Sequence, residues 1–154
     1  MDETSAKLNY LNLNGLVVFY LANELFCVDI DDVFAIVNPA DFPQNIKNSF
    51  LVKSNLDIDN LTIPIIDLHA FFGLKNGKIT ETCRFICIER NKHTFAFVAD
   101  KVHELITLDN NTKNKLQVTA GTENKYLTGT IKYGNDVLSL INFDIIINQL
   151  FVHH

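Results

Sequence analysis

Leu25-Phe26-Cys27-Val28-Asp29-Ile30-Asp31-Asp32, eight residues near the start of a 154-residue chain, decide the fold class. Phe26, Val28 and Ile30 alternate with Cys27, Asp29 and Asp31, the period of a strand with one wet face. Just upstream, Gly15 opens the run Leu16-Val17-Val18-Phe19-Tyr20-Leu21, and Ala22-Asn23-Glu24 turns one run into the other, so the pair reads as a hairpin. The composition agrees. Ile, Val and Thr number 16, 11 and 11 and Phe 12, and such stiff or aromatic side chains suit a pleated, half-buried surface. A hydrophobic content of 47% with only nine Gly and Pro together excludes disorder and low complexity. The length fits one ordinary domain.

Working outward, Asp32 to Val37 reads as a third strand in preference to a short helix, and Pro39 and Pro43 force a loop over Asn38 to Gln44. The runs Phe50 to Lys53 and Thr62 to Leu68 flank Ser54 to Asn60, a polar stretch that predicts a second hairpin with an acidic tip. Pro64 in the return run argues for an edge strand or a strand start. Asp67 to Leu74 predicts one helical turn stopped by Gly73. Residues 75–82 offer a mid-chain break. Strands are expected over Cys83 to Glu89, Thr94 to Ala99 and Leu105 to Leu108. The polar stretch Asp109 to Lys125 reads as a functional or partly structured loop. Tyr126 to Tyr133 and Val137 to Ile141 flank Gly134-Asn135-Asp136, a hairpin signal, and a helix closes the chain over 144–150. About ten short strands and two brief helices predict a mostly β barrel or sandwich architecture. The expected organisation is a loose arm over 1–14 and one domain over 15–152.

The net charge is −5, with only two arginines, Arg84 and Arg90. That balance argues against nucleic-acid binding, which needs a basic stripe. Residues 1–74 carry −7 and residues 75–154 carry +2, a polarity that could orient a protein partner. Cys27, Cys83 and Cys87 lie in apolar runs at no zinc spacing. No leader and no apolar run near 18 residues is present in the sequence, so a soluble, cytoplasmic protein without membrane insertion is expected. Catalytic motifs are missing: no phosphate loop, no HExxH and no nucleophile elbow. An enzyme or metal protein would have to be built on Asp67, His69 and His103; a capping Asp and ordinary surface His residues are the simpler reading. No cofactor or metal is expected.

Several stretches together resemble the CheW-like adaptor family of bacterial chemosensory systems. Ile63-Pro64-Ile65-Ile66-Asp67-Leu68 is similar to its I-V-P-V-I-D-L run, and Val98-Ala99-Asp100-Lys101-Val102 to its V-x-D-x-V. Leu16 to Leu21 with Val28 to Val33 resembles its first hairpin, and Tyr126 to Gly129 with Val137 to Asn142 its last. The order holds over roughly residues 12 to 150. The resemblance implies two small five-stranded SH3-like barrels packed together, between which strands can cross so that the break at 75–82 need not divide them, and a non-catalytic scaffold. Its implied partners are the regulatory domain of a CheA-type histidine kinase and the tip of a methyl-accepting chemoreceptor. The isolated chain is expected to be a monomer. Val33, Ile36 and Val102 match hydrophobic contact positions of the family, and Phe34 joins them as an exposed apolar candidate. Where the family has V-x-E-I, this chain has Val33-Phe34-Ala35-Ile36. Where it has G-V-x-N-L-R-G, this chain has Lys53 to Asp59, so that the Arg falls at Asp57 or Ile58. Both positions are therefore candidate contacts. The charge reversal at Asp57 suggests an alternative: a diverged adaptor of a non-flagellar pathway, such as pilus motility, with altered receptor binding.

Overall fold

The structure, a computed structural model, describes residues 12–41, 54–75, 79–120 and 123–152. Among the described residues eleven strands run in chain order: β1 (Gly15–Leu21), β2 (Glu24–Asp29), β3 (Val33–Val37), β4 (Ser54–Ile58), β5 (Leu61–Ile66), β6 (Arg84–Arg90), β7 (His93–Ala99), β8 (Lys101–Thr107), β9 (Gln117–Ala120), β10 (Leu127–Tyr133) and β11 (Asp136–Ile141). They form a six-stranded sheet, order β8-β1-β2-β11-β10-β9, and a five-stranded sheet, order β3-β6-β7-β5-β4. The chain divides into two compact units. The first holds residues up to Phe19, Leu25–Asp31 and His103 onward; the second holds Tyr20–Glu24 and Asp32–Val102. The break at 75–82 lies inside the second unit, and the chain crosses between units within β1, β2 and β8 and between Asp31 and Asp32, ahead of β3.

In the first unit, Leu16, Val18, Cys27, Ile106, Ile131 and Leu138 share one core with Leu13 and Leu108. Of the loose arm expected over 1–14, residues 1–11 lie outside the described residues, whereas Leu13 is buried in this core. Gly15 is required by close approach: a Cβ there would lie 2.7 Å from Ile106 O and 2.9 Å from Ile30 Cγ2. The sheet has six strands, one more than a five-stranded barrel, because part of the polar stretch 109–125 is ordered. Asp109 caps a helical turn over Asn110–Asn114, its side chain accepting the Thr112 N–H at 2.8 Å. Those hydrogen bonds hold its carboxyl below the usual range. β9 follows, with Val118 opposite the buried Ile131. The closing helix is Phe143–Ile147, capped by Asn142, and it continues as a π-helical turn over Asn148–Val152. Its start is one residue ahead of the expected Asp144.

In the second unit, Leu56, Ile58, Ile63, Ile65, Phe85, Cys87, Ala96 and Val98 form the core, and Ala35 and Val37 pack against it. Both edge strands, β3 and β4, feed this one cluster, so the sheet curls. Ser54 to Asn60, read above as a hairpin tip, is mostly the strand β4 itself: Leu56 and Ile58 point inward while Asn55 and Asp57 are exposed. Polar outward residues had masked the alternation. The turn is only Asp59-Asn60, at φ 50° and 64°, the doubly left-handed form that matches strand twist. The run Phe50 to Lys53 lies outside the described residues. Pro64 sits in an interior strand. The ladder from β5 to β7 begins at Ile65, so the missing N–H costs no rung on that side. The helical turn expected near 67–74 spans Leu68–Phe71, with Asp67 at its cap and Gly73 at φ 65° just beyond. Among the described residues no helix is long and apolar enough to cross a membrane.

Candidate functional site

The candidate contact residues fall on three places of the second unit. The first is β3, an edge strand. Val33 pairs with Ile88 and Ala35 with Cys87, so two steps on β3 match one on β6 and Phe34 is the extra residue of a bulge. Beyond the bulge, Ala35 and Val37 face the core, whereas Ile36 stands opposite Ile86 on the other face. The bulge therefore leaves Val33 and Ile36 on one face, with Phe34 unpaired in the bulge. Phe34 is 38% exposed and Ile36 37%, and Val33 is half-buried. Ile36 is the open end of a row that crosses the sheet through Ile86 and Phe97, both fully buried, to Ile66. At the start of β3, Asp32 Oδ2 meets Arg90 Nη1 at 2.9 Å, so charge next to the apolar patch is neutralised. An apolar patch on an edge strand is a feature that soluble proteins usually cover or use.

The second place is Val102, half-buried, three residues past Ala99. Ala99 pairs with Arg84, next to Phe85 opposite Val37. Val102 itself belongs to β8 and not to the five-stranded sheet that carries Phe34. The third is β4, at the opposite end of the strand order from β3. Asp57 is exposed, its Oδ1 accepting from Thr62 Oγ1 at 2.7 Å. Ile58, expected as a contact, is instead a core residue, 8% exposed among Leu56, Ile63 and Ile65. Strand alternation forces this: when Asp57 points out, its neighbour points in.

The residues of the enzyme or metal reading do not converge. Asp67 caps its helical turn, accepting the Ala70 N–H. His69, 1% exposed, sets Nε2 at 3.2 and 3.1 Å from the two Asp100 oxygens; the ring nitrogen is the donor, since a carboxylate only accepts. His103 belongs to the first unit, 3.6 Å from Asp136. Among the described residues no three His, Cys, Asp or Glu are placed to hold a metal ion. The three cysteines are free and buried. Burial pushes the Cys27 thiol up, and burial with the nearby Asp59 carboxylate pushes Cys87 up to about 12, which makes both poor nucleophiles.

Sequence reasoning missed Asp100. It accepts from His69 and from the Ala22 N–H, its own N–H donates to Tyr20 O at 2.9 Å, and its carbonyl accepts from Thr82 Oγ1 at 2.9 Å. The V-x-D-x-V run was the available signal: one acidic residue between apolar positions at the end of a buried strand.

The model of one family, described as the CheW-like domain, matches residues 15–151. The crystal structure of scaffolding protein TtCheW from Thermoanaerobacter tengcongensis is similar in fold, with a TM-score of 0.64 and 24% identity over 84% of each chain. No curated protein matches the sequence.

Proposed function

Because the chain belongs to the CheW-like domain family, whose members are non-catalytic scaffolds, we propose that it couples a CheA-type histidine kinase to chemoreceptors. In this reading no bond is made or broken. The protein bridges two partners, and its chemistry is the burial of apolar surface. The observation that carries the reading is the bulged edge of β3, which leaves Phe34 and Ile36 exposed on a well-packed sheet. The similarity to a protein described as a scaffold supports the same reading. The site is at work in the cytoplasm, where the kinase and the receptor tips are.

A second reading is favoured by one residue. Asp57 stands exposed on β4 where family members carry an Arg in this stretch. A partner surface suited to that Arg is acidic and would be repelled here. The chain then serves a diverged, non-flagellar pathway, keeping the kinase and changing the receptor. Titration against a kinase regulatory domain and, separately, a receptor-tip fragment from the same organism tests both readings. Coupling requires binding to both, weakened by Val33→Arg. Kinase binding alone, with receptor binding gained in Asp57→Arg, selects the diverged adaptor. A chain that binds neither sinks both.

A further inference from the structure

Five residues other than glycine adopt a positive φ among the described residues: Ala22, Asp59, Asn60, Asn91 and Lys92. Asp and Asn tolerate this region through local hydrogen bonds of their short polar side chains. Ala22, at φ 55°, has no such side chain, and a methyl group there is strained against the backbone. Support comes from elsewhere in the same unit. The Asp100 carboxylate accepts the Ala22 N–H, and the Asp100 N–H donates to Tyr20 O at 2.9 Å, so one residue grips the entry of the turn through two bonds. That carboxylate is in turn held by His69, whose ring is 1% exposed. A charge-assisted contact with a buried donor fixes the carboxylate more tightly than water would. Thr82 Oγ1 on the Asp100 carbonyl adds a third hold. Two residues later stands Val102.

We propose that Asp100 is a positioning residue: with His69 as its buried donor it clamps the Tyr20–Glu24 turn in its left-handed form and fixes the direction in which the chain presents Val102. The second half rests on reading Val102 as a partner contact; the clamp does not.

The test is amide hydrogen exchange on the full chain, read at residue 100, whose N–H reports the bond to Tyr20. In Asp100→Ala this amide exchanges at least about tenfold faster, the loss expected when a charge-assisted bond that holds the turn is removed. Adding Ala22→Gly restores most of the protection, because glycine keeps the turn without help. Asp100→Asn, which keeps one acceptor oxygen, falls between. Unchanged protection in Asp100→Ala, or no restoration by Ala22→Gly, overturns the clamp. Should Asp100→Ala fail to fold, Ala22→Gly alone decides: it lowers the unfolding constant about five- to tenfold, and a glycine that destabilises refutes the strained turn. Titration of the folded variants with the kinase regulatory domain and the receptor tip separates the two halves. Lost protection with both affinities intact leaves the clamp standing and removes the role of Val102.

Discussion

Truncating Phe34 separates a binding patch from a packing patch, because the two roles load different states of the protein. Phe34 is 38% exposed. A Phe side chain offers about 200 Å² of apolar surface, so roughly 75 Å² remains for a partner to cover. At about 25 cal/mol per Å² that is roughly 2 kcal/mol. Phe34→Ala keeps Cβ and forfeits about 1.5 kcal/mol of it, which is about a tenfold loss in Kd for the kinase regulatory domain or the receptor tip. Folding loses the already buried part of the ring, but a bulge on an edge strand relaxes readily. A stability loss near 1 kcal/mol is expected. Isothermal titration gives the first quantity and urea unfolding the second. Leu150→Ala is the matched control, since Leu150 is also 38% exposed but lies in the other unit, on the π-helical turn. If Phe34→Ala leaves both affinities within twofold, or if Leu150→Ala weakens them equally, the β3 patch is not the contact.

Two further perturbations test the packing that supports the site. Gly15→Ala drives a methyl group onto the Ile106 carbonyl, at 2.7 Å before relaxation, and urea unfolding should show a loss of about 1–3 kcal/mol; an unchanged midpoint would mean that β1 and β8 can separate freely there. Cys27 and Cys87 have thiol pKa values raised by burial, so the unfolded chain ionises first. Stability that is intact below about pH 8.5 then falls by up to about 1.4 kcal/mol per pH unit per thiol above it, for Cys87 until about pH 12. Replacing both by Ala should flatten the alkaline limb of a stability-versus-pH curve, and an identical limb would contradict the assignment.

The parts of the fold that were legible in the sequence are those where one period dominates a segment. Phe26, Val28 and Ile30 against Cys27, Asp29 and Asp31 announce a strand, and Gly134-Asn135 announces the turn of β10 into β11. β4 was hidden because its outward residues, Asn55 and Asp57, and the turn pair after it, Asp59-Asn60, are all turn formers. Two inward residues, Leu56 and Ile58, were too few to outweigh them. β9 was hidden for the same reason, with Val118, opposite Ile131, its one large apolar residue. For the site, residue type identified Phe34 and Ile36 as apolar, but exposure depended on the bulge, and Val33-Phe34-Ala35-Ile36-Val37 reads as an unbroken apolar run in which no bulge can be seen. Asp100 joins residues 31 and 78 positions away, contacts that only the folded topology creates. Asp57 and Ile58 were paired as candidates on sequence position alone, and strand parity divides them.

Parity also makes a deletion informative. Without Phe34, β3 becomes a regular ladder in which Val33, Ala35, Ile36 and Val37 meet Ile88, Cys87, Ile86 and Phe85 in turn. Ala35 and Val37 stay on the core and nothing changes face, so deleting this residue from a strand should cost no more than about 1 kcal/mol. Deleting Ile36 cannot be absorbed so easily. Either Val37 turns away from the core, or the bulge closes and Phe34 is forced into the space of Ala35, an overpacking worth about 1–3 kcal/mol by itself. The shorter chain that keeps its stability should therefore be the one lacking Phe34, and it should also be the one that binds partners least well, since it has lost the ring and kept the fold. Urea midpoints of the two deletion variants, with a titration of the more stable one, decide the matter. Equal losses from both deletions would mean that the register of β3 is not set by the bulge, and the case for Phe34 as a residue displayed for binding would go with it.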